Sequence, residues 1–307
     1  MMTNEQKKQL EMLYRTQGVC RFEEPMAEHT TFRIGGPAEI WLVPESVEQL
    51  QETVTFLKQE GIRMQILGNG SNVLVSDEGV RGAVIRMEDR RSEVLYDTDG
   101  EVTLATAPAG MSLSAFAREV CDKGFADMEY ATGIPGSVGG AIVMNAGAYE
   151  GEIRNQLQSA KVLTEDGEIV NLTAEDLKLS YRYSIIPEKR YLVLSGTFAL
   201  KPGNRDEIRA KVLDLATRRR EKQPLEYPSA GSTFKRPEGN YAGKLIQESG
   251  LRGYRVGDAM VSEKHCGFVI NAGAATAAEV KRLIADVQRI VQEKTGILLE
   301  PEVKFLE

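Results

Sequence analysis

Histidine and cysteine are scarce in this sequence: His29 and His265 are the only histidines and Cys20, Cys121 and Cys266 the only cysteines among 307 residues. Cysteines this far apart and odd in number include no CxxC pair. They argue against a disulfide framework or a zinc site, and each reads as a reduced, mostly buried thiol. Neither histidine has a partner at metal-ligand spacing, so both read as structural, and a hydrolytic triad has few bases to draw on. Positive charge is in deficit too, with 38 Lys+Arg against 45 Asp+Glu and a net charge of −7. That balance argues against a protein that coats nucleic acid, while leaving room for a local basic pocket that takes a small anion. No apolar run approaches the ~20 residues a membrane span needs. The polar, mixed-charge start, Met1 to Leu10, is no signal peptide, and a cytoplasmic protein is expected.

What remains is an ordinary globular composition, 42% hydrophobic and 27% charged, in a chain long enough for two or three domains. Residues 4–17 carry Leu10, Leu13 and Tyr14 among charges and read as a short amphipathic helix. Residues 38–43 read as a strand, and Ser46 then caps a helix to about Gln59, with Gln49 completing a capping box. Residues 64–67 form a second strand that runs straight into a glycine-rich turn. Strand character continues at 73–75, 82–87 and 95–107, the last interrupted by Gly100. Ser112 opens a helix to about Lys123, and residues 160–172 form a hairpin around Asp166-Gly167. A strand over 191–200 precedes a turn at 201–204, and residues 201–205 are the best candidate boundary, beyond which a β-heavy part gives way to a small α+β part. There the pattern predicts helices over 206–222, 242–248 and 277–294, and strands over 264–270 and 298–305.

Six short stretches are candidates for chemistry. Gly68, Asn69, Gly70, Ser71 and Asn72 lie between two strands, where their amides either form an anion-binding nest or make a tight turn. The stretch lacks the GK[ST] ending of a Walker loop and the third glycine of GxGxxG. Gly133, Gly136, Gly139 and Gly140 crowd a second stretch with Ser137, followed by Asn145 and Gly147. Such a segment either lies against a flat, extended ligand or is an irregular loop. Two of them suggest a large ligand with a diphosphate and ring systems, a dinucleotide rather than a mononucleotide. Tyr181-Arg182-Tyr183-Ser184 puts a guanidinium between aromatics, suited to a carboxylate or simply stacked on tyrosine. Ser232, in a small-residue turn, is a nucleophile, a proton donor or a turn residue. Arg218 to Lys222 either complement a helix C-terminus or meet a phosphate or a flavin. Glu300-Pro301-Glu302 reads on its own as a charged edge strand.

In their order these stretches resemble one family. HTTFRIGG at 29–36, LGNGSNVL at 67–74, GIPGSVGGA at 133–141, MNAGAY at 144–149, YRYS at 181–184, GSTFKRP at 231–237 and LEPEV at 299–303 are together similar to the UDP-N-acetylenolpyruvoylglucosamine reductase (MurB) family. The similarity runs from about His29 onward, and the chain is short, like the subtype without a substrate-covering flap. The resemblance implies an α+β fold: an N-terminal helical segment over 1–32, a two-lobed FAD-binding domain of the vanillyl-alcohol-oxidase/PCMH type over 33–197, and a substrate-binding domain over 201–307. It implies non-covalent FAD, NADPH as co-substrate, a UDP-sugar enol ether as substrate and a monomeric enzyme of peptidoglycan synthesis with no nucleic-acid or membrane partner.

By the same resemblance the flavin N5 hydride goes to the terminal carbon of a vinyl ether, Arg182 stabilises the charge that builds on the substrate carboxylate, Ser232 donates a proton, and Glu302 is its carboxyl partner. Tyr181 and Lys222 contact substrate. Arg219 contacts the flavin ring, and the glycine stretches with Asn69, Ser71, Asn72, Ser137 and Asn145 hold the cofactor. Glu302 is expected to be protonated or screened by Arg182, because a carboxylate would repel the charge developing beside it. A flavin oxidase of the same cofactor fold, acting on an alcohol or hydroxy acid, and a non-catalytic nucleotide-binding module are the competing readings.

Overall fold

The computed structural model describes residues 2–88, 93–99 and 102–307, so Met1 and the Gly100 of the alternating stretch lie outside the described residues. In chain order the elements are α1 Asn4–Leu13, β1 Val19–Pro25, β2 Pro37–Val43, α2 Val47–Gln59, β3 Met64–Leu67, β4 Val73–Val75, β5 Val80–Arg86, β6 Leu95–Asp99, β7 Val102–Pro108, α3 Leu113–Asp122, α4 Val138–Val143, β8 Gly147–Ala148 and β9 Gly151–Glu152. There follow β10 Leu157–Leu163, β11 Ile169–Thr173, β12 Leu192–Leu200, α5 Arg205–Lys222, β13 Ser229–Ser232, α6 Ala242–Glu248, β14 Arg255–Val256, β15 Ala259–Val261, β16 Phe268–Asn271, α7 Ala277–Thr295 and β17 Lys304–Leu306. The class is α+β, as expected. By compactness the chain divides into two units. One is built from Met1–Arg21, Trp41–Asn69 and Gly82–Arg218, the other from Phe22–Ile40, Gly70–Arg81 and Arg219–Glu307. A four-stranded sheet has the order β1-β2-β5-β3, with β3 parallel to β5.

The first unit centres on an antiparallel sheet in the order β11-β10-β12-β7-β6. Central strand β12 buries alternate residues, as a strand with one covered face must. Helix α3 buries Leu113, Phe116, Ala117, Val120 and Cys121, the stripe of an amphipathic helix, and Phe116 meets Phe198 of β12 at 4.8 Å between ring centroids. Gly196 of β12 has no room for a side chain: a Cβ there would lie 2.5 Å from Ile142 Cδ1. The missing atom lets α4 seat on the sheet. The Asp166-Gly167 hairpin forms as predicted, with Leu163 opposite Ile169 and Gly167 at φ +83.

The second unit packs α7 and α6 on the sheet β13-β16-β15-β14. Helix α7 buries Val280, Leu283, Ile284, Val287 and Val291, and Gly296 ends it in the left-handed region at φ +75. Its N-terminus, where amides have no intrahelical acceptor, is closed three ways. Thr276 and Glu279 form a capping box, and the Asp77 carboxylate accepts from Ala277 N at 2.7 Å and Ala278 N at 2.9 Å. Two glycines bring Asp77 there. A Cβ on Gly36 would lie 2.2 Å from Asp77 O, and one on Gly79, at φ +86, would lie 1.9 Å from Pro37 O.

Several expectations change. Ser46 caps α2, but Gln49 does not close the box. Its buried amide accepts from Glu45 N and donates to Leu13 O and Gln17 O, satisfying three backbone groups instead of one. Ser112 opens α3 from the N-cap position, as expected, though its hydroxyl bonds Ser114 rather than a helix amide. The 133–141 stretch is not the irregular loop that was one reading of it: it contains helix α4, because Ser137 caps it and Val138, Ala141 and Ile142 are buried. That burial outweighs the ~1 kcal/mol each helical glycine costs. The strand expected over 264–270 begins only at Phe268, since Ser262 Oγ accepts the amides of Lys264 and His265 and bends the chain. The strand expected over 298–305 is confined to β17, parallel to β4. Cys121 and Cys266 are buried and all three thiols are free; burial pushes the Cys20 thiol up to about 11 and Cys121 to about 12, so neither ionises near neutrality.

Asp77→Ala leaves two α7 amides without their acceptor and is expected to destabilise the protein by about 1–2 kcal/mol. Denaturant unfolding measures this, and an unchanged midpoint would refute the clamp.

Candidate active site

In the first unit β3 ends in Gly68 and Asn69, and the Asn69 amide donates to Gly136 O at 2.8 Å. A Cβ on Gly68 would lie 2.2 Å from Ser137 Oγ. The two glycine stretches, far apart in sequence, are therefore in direct contact, and that contact requires glycine at 68. Gly139 is likewise closed in, with Ala109 Cβ 2.8 Å from where its own would be. The amides opening α4 already have acceptors: Val138 N donates to Met111 O, Gly139 N to Ala109 O and Gly140 N to Ser137 Oγ. What Gly140 offers a ligand is its bare face. It is exposed, and a Cβ there would meet only Ser137 Oγ, at 3.3 Å. Gly133 ends a short 3₁₀ turn, and Gly136 has φ +140.

Past α4, Asn145 is fully buried at φ +40, and its amide joins three segments. It donates to Glu152 Oε2 and Ser180 O, both at 3.0 Å, and accepts from Arg154 N at 2.9 Å. Ser180 and Tyr183 exchange backbone bonds at 3.1 Å, leaving Tyr181 and Arg182 as the corners of a tight turn. Arg182 has φ +56, a region costly for a residue with a Cβ. Its guanidinium donates to Gly147 O at 3.0 Å and stacks 4.9 Å from the Tyr181 ring centroid. Ser184 Oγ donates to Val143 O at 2.7 Å and ties the turn to α4. Next to this cluster the Tyr130 ring fills the space a Gly151 side chain would need, and its hydroxyl is buried without a hydrogen-bond partner among the described residues. Burial, then the charge of Glu152, raises the pKa of that hydroxyl well above its usual range.

In the second unit Gly70 has φ +61, with His29 O 2.1 Å from a would-be Cβ, and Gly70 O accepts from Thr31 N at 3.1 Å. Ser71 follows in the same turn. Asn72 donates through its side chain to Glu302 O at 3.3 Å, and its own carbonyl accepts from Lys304 N. Glu302 N donates to Thr233 O at 2.8 Å, so the carboxyl-bearing segment pairs with the residue directly after Ser232. Ser232 is exposed and Glu302 half-buried. At the end of α5 Arg219 is half-buried and Lys222 exposed, and Lys264 Nζ caps Arg220 O at 2.8 Å.

His265 is half-buried, and its Nδ1 accepts from Gly267 N at 3.1 Å, which requires a lone pair there. Burial first, against a raising backbone hydrogen bond, and then the Lys222 charge lower its pKa below 6.5. The sequence alone does not single out Thr233 or Tyr130: Thr233 lies inside the 231–237 stretch and Tyr130 three residues before the 133–141 stretch, but nothing in their types marks one as buried between two segments or the other as an unpaired hydroxyl.

Comparison with known proteins adds an independent line. A family model described as the C-terminal domain of UDP-N-acetylenolpyruvoylglucosamine reductase matches residues 223–306, and one described as an FAD binding domain matches residues 38–173. The UDP-N-acetylenolpyruvoylglucosamine reductase of Lachnoclostridium phytofermentans is 52% identical, covering 92% of this chain and 91% of its own. That of Agathobacter rectalis is 51% identical, covering 92% and 93%. The solved reductase of Thermus caldophilus has a TM-score of 0.78 at 35% identity, covering 95% of this chain and 99% of that one.

The residues of the first unit fit a flat, extended cofactor: Gly140 presents a bare face, and the Tyr130 hydroxyl, beside Gly151, is a buried donor with capacity to spare. His265 gives a pH test. The unfolded chain takes up its proton near pH 6.5 and the native protein only at lower pH, so the native state binds fewer protons in that window and loses stability as pH falls through it. The stability of the wild type minus that of His265→Gln should be flat above about pH 7 and shrink from about pH 6.5 to 5. A difference that widens on acidification would reverse the sign.

Proposed function

The chain belongs to the UDP-N-acetylenolpyruvoylglucosamine reductase family, and on that premise we propose that it reduces UDP-N-acetyl-3-O-(1-carboxyvinyl)-glucosamine to UDP-N-acetylmuramate, using NADPH and non-covalently bound FAD, in peptidoglycan synthesis. Residues 33–197 are read as the FAD-binding domain and 201–307 as the substrate-binding domain, supported by the family models over 38–173 and 223–306. The enzyme is read as a cytoplasmic monomer whose partners are the UDP-sugar and NADPH. Among the described residues no helix is long and apolar enough to cross a membrane.

The reduction adds a hydride to the terminal olefinic carbon and a proton to the carbon bearing the carboxylate. The chemistry FAD supplies when bound is the two-electron relay, a hydride accepted from NADPH and passed to the olefin. Charge then builds on the substrate carboxylate, where a preorganised cation lowers the barrier; loss of one such contact costs roughly 3–4 kcal/mol. Arg182 takes that role. Its corner position in the 180–183 turn and its bond to Gly147 O hold the guanidinium in one orientation, which a bidentate carboxylate clamp needs. Ser232 delivers the proton. A serine hydroxyl is a weak acid on its own, and Glu302 in its protonated form replenishes it. The observation that carries this assignment is the 2.8 Å bond from Glu302 N to Thr233 O, which ties the carboxyl's backbone to the residue next to the hydroxyl. Lys222 and Tyr181 are read as substrate contacts and Arg219 as a flavin contact. Gly68 to Asn72, Gly133 to Gly140, Asn145 and Gly147 form or brace the cofactor cradle.

The purified protein should show a flavin spectrum that NADPH bleaches anaerobically and the enolpyruvyl substrate restores; a protein that stays colourless with added FAD would overturn the reading. Ser232→Ala should keep fast reduction by NADPH but slow reoxidation by substrate by roughly 10²–10⁴-fold. Equal slowing of both halves would remove Ser232 from the role. Glu302→Gln keeps the shape of the neutral acid but has no proton to release, and should slow reoxidation by roughly 10²-fold or more. A near-normal rate would reduce Glu302 to a neutral hydrogen-bonding group.

A further inference from the structure

The end of strand β13 is set by an irregularity. It pairs with β16 through Ser229↔Ile270 and Ser232↔Phe268, three steps on one strand against two on the other. The extra residue makes a bulge, which bends a strand and re-aims the side chains after it. Gly231, at φ +75, carries the bend, and a Cβ there would meet nothing within 4 Å. Beyond it Ser232 is exposed, whereas Thr233 is 1% exposed.

Thr233 uses its N–H, hydroxyl and carbonyl all in hydrogen bonds, two toward the 267–269 segment and one toward the 299–303 segment. Its N–H donates to Gly267 O at 2.9 Å, its hydroxyl accepts from Val269 N at 2.9 Å, and its carbonyl accepts from Glu302 N at 2.8 Å. In the second of these a side-chain oxygen fills the place that a strand carbonyl takes in a regular ladder. The third begins a short pairing that continues through Phe234↔Pro301 and Lys235 N to Glu300 O at 2.8 Å. Thr233 thus stands one residue from Ser232 and one hydrogen bond from Glu302, anchored on β16 by its hydroxyl.

We propose that Thr233 is a positioning residue for the reduction: its hydroxyl, seated on Val269 N, fixes the aim of Ser232 and its spacing from Glu302. The proposal rests on the reading of Ser232 as proton donor. Without the hydroxyl, Val269 N–H is left buried and unpaired, and the strand end is free to shift. A displacement near 1 Å at a reacting group is enough to cost a large factor in rate. The step that suffers is proton delivery to the substrate, while reduction by NADPH is untouched.

Thr233→Val removes the acceptor at nearly constant shape, and Thr233→Ser keeps it. In anaerobic stopped-flow work on the purified holoenzyme, the Val variant should be reduced by NADPH within about twofold of wild type and reoxidised by the enolpyruvyl substrate at least about tenfold more slowly, with a larger solvent deuterium isotope effect. The Ser variant should reoxidise within about threefold of wild type. Before substrate is added, amide exchange over residues 268–271 should be faster in the Val variant than in the Ser variant. A Val variant that reoxidises normally, or slows in both half-reactions alike, overturns the proposal, as does a Ser variant as slow as Val. If the Val variant does not fold with FAD, Thr233→Cys, with a weaker acceptor, should fall between Ser and wild type on one side and a tenfold loss on the other; a wild-type rate there overturns the proposal equally. Ser232→Ala separates the two ideas. If it reoxidises normally the donor assignment is wrong, whereas a blocked Ser232→Ala beside a fast Val variant overturns Thr233 alone.

Discussion

The structure depends on close backbone approach at positions where a Cβ cannot exist. A Cβ on Gly68 would sit 2.2 Å from Ser137 Oγ, one on Gly139 2.8 Å from the Ala109 Cβ, and one on Gly196 2.5 Å from Ile142. Real carbon contacts are never this short, so each glycine is what lets two segments lie together. In the first unit this brings the turn after β3 against the stretch that opens α4, and seats α4 on the central strand of its sheet. In the second unit Gly36 and Gly79 do the same for the loop that carries Asp77 to α7. Much of the glycine richness that suggests ligand contact therefore serves the packing behind the cradle. Only an exposed position such as Gly140 presents its bare face outward.

Segments this close leave backbone polar groups inside, and single side chains satisfy them. The Asn145 amide joins Glu152, Arg154 and Ser180; Gln49 joins Leu13, Gln17 and Glu45; Asn271 accepts from Gly273 N and Ala275 N while donating to Phe32 O. An amide side chain suits this work because it offers donor and acceptor together. Leaving one such buried group unpaired costs about 1–3 kcal/mol, comparable to a sizeable fraction of a domain's net stability. The residues that brace the candidate chemistry are drawn from this set. Asn145 steadies the turn that carries Arg182 in a left-handed backbone conformation, and Thr233 anchors the strand end that carries Ser232.

The functional reading follows from that bracing. A guanidinium that must meet developing charge needs to be aimed before the charge appears, and Arg182 has its stacking and its bond to Gly147 already in place. Within the second unit, the backbone pairing of Thr233 with Glu302 ties the segment that carries Glu302 to the residue after Ser232. The family similarity supplies the substrate; the geometry supplies reasons why these particular groups suit its reduction.

Local signals in the sequence were enough for much of this. The α7 stripe, the Asp166-Gly167 hairpin and strands β2, β3 and β12 were legible because period and turn chemistry depend on near neighbours. The ordered motifs identified the family and its chemistry for the same reason, since each motif is contiguous. What only the tertiary structure decided was where non-local hydrogen bonds go. Gln49 abandons its capping box, residues 298–303 pair with a distant turn instead of forming a strand, and Val138 to Val143 coil into a helix despite two glycines. In each case a distant partner or a burial surface outweighed the local preference. Residue type states what a side chain can bond; only the assembled chain determines which unpaired group lies within reach of it.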